Sequence, residues 1–104
     1  MTLVKLLDEA RDEVLDAAAW YEGQQSGVGT ELIQELADTL QAIEDRPDRF
    51  PFLENSRSSR QRRALLQRFP YMVVYDVVGE DVVVAAFAHT ARRPNYWQHR
   101  RKSQ

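Results

Sequence analysis

The chain of 104 residues contains no cysteine, which rules out disulfides and thiolate-held zinc. Glycine and proline number only 4 each, and no low-complexity tract or internal repeat is visible. No apolar run is long enough to span a bilayer. The opening stretch "MTLVKLLDEARDEV" turns acidic after seven residues, the wrong pattern for a signal peptide. The 2 histidines, His89 and His99, together with the lack of an acidic–histidine cluster, make no case for a metal. "GVG" at 27–29 precedes a helix but lacks a P-loop or dinucleotide pattern around it. We therefore expect a cytoplasmic protein with no metal, no cofactor and no membrane partner. The length suits one domain over 1–104, burying roughly two-thirds of its unfolded surface.

Charge is abundant but unevenly spread. Residues 1–56 carry 4 Lys+Arg against 13 Asp+Glu, whereas residues 57–104 carry 10 against 3. All but one of the later cations are arginine, whose planar fork suits phosphate or carboxylate. Two readings follow: a basic face aimed at an acidic partner, or charges scattered over solvated surface.

"TLVKLL" (2–7) predicts a short opening strand. Asp8 is a fair N-cap, with Glu9, Asp12 and Glu13 in the early turns complementing the helix dipole. Ala10, Val14, Ala17, Ala18 and Tyr21 recur at helical spacing, and this helix should end near Glu22–Gly23. After "GQQSGVG" a second stripe runs through Val28, Leu32, Leu36, Leu40 and Ile43, flanked by Ile33 and Ala37, and stops before Pro47. The short loop between matched stripes predicts an antiparallel helical hairpin. An irregular connection held by Phe50, Phe52 and Leu53 comes next. "RRALLQRF", "YMVVYDVV" and "DVVVAAFAH" then read as strands, with a tight turn at Gly79–Asp81. The expected fold is α+β: a short N-terminal strand, a helical hairpin, and a mainly antiparallel sheet whose last three strands are consecutive (β-α-α-β-β-β).

In that order, "EARDEVLDAAAWYE", "GVGTELIQELADTLQAIEDRPDRFP", "RFPYMVVYDV" and "VVVAAFAHTARRPNYWQHR" resemble the ParE/RelE superfamily of bacterial toxins over nearly the whole chain. The "FPY-x-V-x-Y" strand, the "A-x-A-H" strand and "R-R-P-x-Y-W" carry most of the likeness. The resemblance points to the ParE-like, plasmid stabilization branch. It implies a toxin of a type II toxin–antitoxin module that arrests growth, a cognate antitoxin, and a toxin–antitoxin hetero-oligomer. ParE-like members with an assigned target act on DNA gyrase, whereas RelE-like members cut mRNA on the ribosome.

RNA cleavage needs a base for the 2′-hydroxyl, cations for the phosphorane-like transition state, and an acid for the leaving oxygen. His89, Arg92, Arg93 and Tyr96 are the catalytic candidates for that chemistry, with Arg63 or Arg68 assisting. The nuclease branch, however, keeps an arginine where this chain has Met72, and RelE has another where a gap-free alignment gives Thr90. That departure favours a toxin that works by binding, or an inactive homologue that still binds antitoxin, over an endoribonuclease. The partner-binding surface is then expected at Arg63, Arg68, His89, Arg92, Arg93, Tyr96, Trp97 and Arg100. Each has a structural reading as well. His89, expected on the side of Val83, Ala85 and Phe87, could simply bond the following turn. Tyr71 and Tyr75 could edge the core with hydroxyls in water. Pro94, Tyr96 and Trp97 could pin the tail to the sheet, and Arg100 could belong to a solvated charge run with Arg101 and Lys102.

Overall fold

A computed structural model describes residues 2–53, 60–92 and 96–100. It contains β1 (Val4–Leu6), α1 (Asp8–Gln24), α2 (Val28–Asp45), β2 (Arg62–Leu65), β3 (Tyr71–Val78) and β4 (Asp81–His89). The strands form one mixed sheet in the order β1-β4-β3-β2, with β1 parallel to β4 and the other neighbours antiparallel. The expected α+β order is therefore the observed one.

Helix α1 begins one residue earlier than its acidic turn suggested. The N-cap is Leu7, without a side-chain cap, and Asp8 instead pairs with Arg11 at 3.3 Å. The helix also runs on to Gln24, leaving three residues before α2. Gly27 makes that tight turn possible, since its φ of 94° lies in the left-handed region. A glycine N-cap has no side chain to satisfy the first amides of α2. Glu22 does so instead, accepting from the N–H groups of Gly27 (2.8 Å) and Gly29 (3.0 Å). Gly29 also lets the helices touch: a Cβ there would stand 2.5 Å from the Ala18 carbonyl oxygen.

One face of the sheet is covered by the hairpin through Ala10, Val14, Ala17, Leu32, Leu36 and Ile43. Ile33 and Ala37, expected to flank this stripe, are exposed. Tyr75 is fully buried, and its hydroxyl donates to the Pro47 carbonyl at 2.6 Å rather than reaching water. In the connection after α2, Phe50 packs on this core and Leu53 on the other face. Phe52 is half exposed and lies under the Arg62 guanidinium. Strand β2 ends at Leu65, four residues short of the expected Phe69. There the chain bends, and Glu35 of α2 accepts the amides of Gln67 and Arg68.

β3 and β4 occupy their expected ranges, joined through Gly79 with φ 63°. Their register shifts between Val74 and Tyr75, which face Ala86 and Val84, so Ala85 is the extra residue of a bulge. The bulge overturns the simple alternation expected for β4. Val82, Val84 and Phe87 face the helices, while Val83, Ala85, Ala86 and Ala88 face the opposite layer. His89 follows Phe87, not Val83. The opposite layer is a cluster in which Trp97 covers Val74, Val83 and the β4 alanines, with Leu53, Met72 and Tyr96 packed around it.

Candidate functional site

Past β4 the chain turns sharply. The Thr90 N–H donates to Pro70 O at 2.8 Å and the Arg92 N–H to His89 O at 3.0 Å. Nδ1 of His89 accepts from the Ala91 N–H at 3.1 Å, which fixes the neutral ring's proton on Nε2. The imidazole thus bonds the following turn. Its ring also stands edge-on to Tyr71, 5.2 Å between centroids, and Tyr71 is stacked on Phe87 at 4.6 Å.

The centre of this corner is an acid from α1. Glu13 Oε1 accepts from the Phe87 N–H at 3.0 Å and from Arg100 Nη1 at 2.9 Å, and Oε2 accepts from Arg100 Nη2 at 3.2 Å and from the Tyr96 hydroxyl. Arg92 Nη1 lies 3.9 Å from Oε2. Arg100 Nη1 also donates to Ala85 O at 2.9 Å. The reason lies in the sheet. The β1–β4 ladder ends where the Leu7 N–H meets Val84 O, so the Ala85 carbonyl and Phe87 amide on that edge lack a strand partner. The Arg100 fork supplies the missing donor and the Glu13 carboxylate the missing acceptor, and together they cap an open edge.

Burial works against a charged Arg100, but the hydrogen bonds and charge of Glu13 outweigh it and hold its pKa above the ordinary value. Burial, then the hydrogen bond to Glu13, push the Tyr96 hydroxyl well above its usual value of 10. The two guanidinium groups of Arg92 and Arg100 lie 4.1 and 5.2 Å from the Tyr96 ring centre. His89, Arg92, Tyr71, Phe87, Glu13 and Ala17 line part of a recess of about 280 Å³.

A family model described as "ParE toxin of type II toxin-antitoxin system, parDE" matches residues 4–94. The chain belongs to the ParE toxin family. A toxin of such a system has a cognate antitoxin as its partner. The fold agrees with a solved structure titled "Chromosomal ParDE TA system from P. aeruginosa", with a TM-score of 0.73 at 13% identity. The match covers 86% of this chain and 96% of that one. No curated protein sequence matches the chain.

Of the site residues expected from sequence, the ParE fold brings together His89, Arg92, Tyr96 and Arg100. Arg93 lies outside the described residues. Arg63 sits on edge strand β2 opposite Val74, and Arg68 pairs with Glu31 of α2 at 2.9 Å over a separate recess. Trp97 is only 1% exposed and donates through Nε1 to Gln61 Oε1 at 3.0 Å, while Gln61 bonds Asp76. It is part of the core. Arg100, expected in a solvated charge run, is buried in the ion pair with a side chain 10% exposed. The larger recess, about 420 Å³ beside the β3–β4 hairpin, is lined by none of these residues.

Sequence reasoning missed Glu13 and Gln61. For Glu13 a signal was present. It lies three residues after Ala10 and four before Ala17, on the border of the apolar stripe, where a free dipole-complementing acid has no reason to sit. Among the described residues the corner holds a partly buried imidazole, His89, and a guanidinium open to solvent, Arg92, which is 59% exposed. Glu13, Tyr96 and Arg100 are committed to one another. No metal-holding group of His, Cys, Asp or Glu occurs among the described residues.

Proposed function

We propose that this ParE-family chain arrests growth by binding its target, DNA gyrase, and that the β4 corner of His89, Arg92 and Arg93 is the working surface. One observation carries the reading: Tyr96, a group a nuclease would use, is spent on structure. The Tyr96 hydroxyl is bound to Glu13 with its pKa raised, a poor donor to a leaving oxygen. Arg100 is locked between Glu13 and Ala85. Met72, at the position where the nuclease branch keeps an arginine, packs with the Trp97 cluster. What stays open suits recognition of an acidic surface, whether of gyrase or of gyrase-bound DNA, and of an acidic antitoxin segment. We read residues 1–104 as one domain acting in the cytoplasm.

The ribosome-dependent nuclease remains a second reading because His89 and Arg92 line one recess. Pulse-labelling after induction without antitoxin separates the two. Early failure of DNA synthesis supports gyrase, collapse of protein synthesis within minutes supports mRNA cleavage, and neither supports an inactive homologue. Replacing His89, Arg92 and Arg93 together by alanine should relieve the arrest and keep the fold. A folded, fully toxic variant would move the working surface elsewhere.

A further inference from the structure

The recess at the corner has a second wall that the proposed function does not use. Helix α1 contributes Asp16 and Trp20 to it, one turn apart. At that spacing a carboxylate and an indole lie side by side on the helix surface. Trp20 is 60% exposed, an unusual position for the largest side chain. Its ring meets only the edge of Tyr21 among the described aromatic residues. Between them Ala17, a small buried residue, forms the floor where a longer side chain would fill the space. Tyr71 and His89 close the far side.

The charges around the slot are not equivalent. Glu13 is already bound by Arg100 through both oxygens and approached by Arg92. Arg92 in turn lies over Tyr96. No ion pair or hydrogen bond among the described residues engages the Asp16 carboxylate. On the α1 wall of the slot, opposite His89 and Arg92, the available charge is therefore negative and stands beside an exposed π-face.

We propose that this slot receives an arginine side chain of a partner polypeptide, its guanidinium lying on Trp20 and pairing with Asp16. A planar, weakly hydrated cation meets both requirements at once, as an aromatic face attracts it and a carboxylate matches its fork. The volume of about 280 Å³ suits one long side chain. Asp12 lies one turn before Asp16 on the same side of α1, which favours a basic partner segment. This contact uses the α1 wall of a recess whose other wall carries His89 and Arg92, and it does not depend on gyrase being the target.

The test follows the Trp20 indole N–H and the Ala17 amide by NMR during titration of the whole chain. The probes are N-acetyl-arginine amide, its neutral isostere N-acetyl-citrulline amide, and guanosine 5′-monophosphate. We expect saturable shifts of both signals with the arginine probe alone. Asp16→Asn, a change at an exposed position, should raise the midpoint by roughly fivefold, the scale of one lost ion pair. Citrulline saturating as well as arginine, or an unchanged midpoint in Asp16→Asn, overturns the proposal. Saturation by the nucleotide alone also overturns it, and would make the slot a stacking site served by Arg92. None of these readouts involves growth arrest, so the slot and the proposed function can fail separately.

Discussion

Glu13 takes part in four hydrogen bonds from three partners while remaining largely buried. Removing a single charge from such a group leaves Arg100 buried without a counter-ion, which costs far more than the pair itself contributes. Glu13→Gln should lower stability by about 3 kcal/mol, read as a shifted urea midpoint with unchanged slope. Arg100→Met combined with it should cost less than the two single changes added, because each alone already breaks the pair. Additive losses would show that the two side chains act independently. Tyr75 gives a pH test. Burial raises its pKa from 10 to about 12, with nearby Arg62 opposing. Between those values the unfolded chain gives up the phenolic proton and the folded chain keeps it. Stability from this group is therefore complete below pH 10 and lost as the pH climbs toward 12. Denaturant midpoints taken across that interval should fall, and fall less steeply in Tyr75→Phe. That variant should also lose about 1 kcal/mol at neutral pH with the bond to Pro47. Neither residue's role was readable from the chain. Helical spacing places Glu13 at a border but does not say which donors arrive from 83 and 87 residues away.

At the scale of elements, periodicity carried the reading as far as local physics reaches. Leu32, Leu36 and Ile43 marked α2, and the β-branched runs marked β3 and β4 to the residue. It failed where tertiary contacts decide. Asp8 looked like an N-cap, yet the N-terminus of α1 is set by the Leu7 amide joining the sheet at Val84. The run "RRALLQRF" is extended enough to continue as a strand, but Glu35 captures the Gln67 and Arg68 amides and bends it. The bulge at Ala85 left no mark at all, since alanine fits either face. Gly29 was visible as a glycine but not as a contact point. Its Cβ would stand 2.5 Å from backbone oxygen of α1 and 3.0 Å from Glu22, so the hairpin must open. Gly29→Ala should therefore destabilise by about 2 kcal/mol despite the better helix propensity of alanine. A thermal midpoint equal to or above that of the parent would mean that the helices yield without loss.

The whole molecule is a sheet buried on both sides. The helices alone do not account for that. Seven consecutive residues of β4, Val82 to Ala88, are buried, though only half of them can face the hairpin. The rest depend on Trp97, which is anchored by Gln61 and flanked by Arg100 and Tyr96 on Glu13. Residues 96–100 thus act as the second cover of the core as well as the boundary of the functional corner. A tail pinned to the sheet was one of the readings open in the sequence; that it closes a whole face was not, because "AAFA" gives no sign of which alanines lack a partner. Ending the chain after Arg92 should therefore do more than remove a tail. It uncovers Val74, Val83 and the β4 alanines and leaves Glu13 and Ala85 without Arg100. Losing the Trp97 side chain alone should cost about 4 kcal/mol, a large share of what a domain of this size has. The truncated chain should bind a hydrophobic dye, lose its near-ultraviolet dichroism and unfold without a sharp transition, while keeping much of its helical signal. Trp97→Phe in the full chain, which keeps an aromatic ring but fills less of the site and loses the bond to Gln61, should remain cooperative with a smaller loss than truncation. A cooperative transition in the truncated chain would mean that the helical hairpin and sheet suffice without the second cover. The corner would then be a surface attached to a finished fold rather than a part of it.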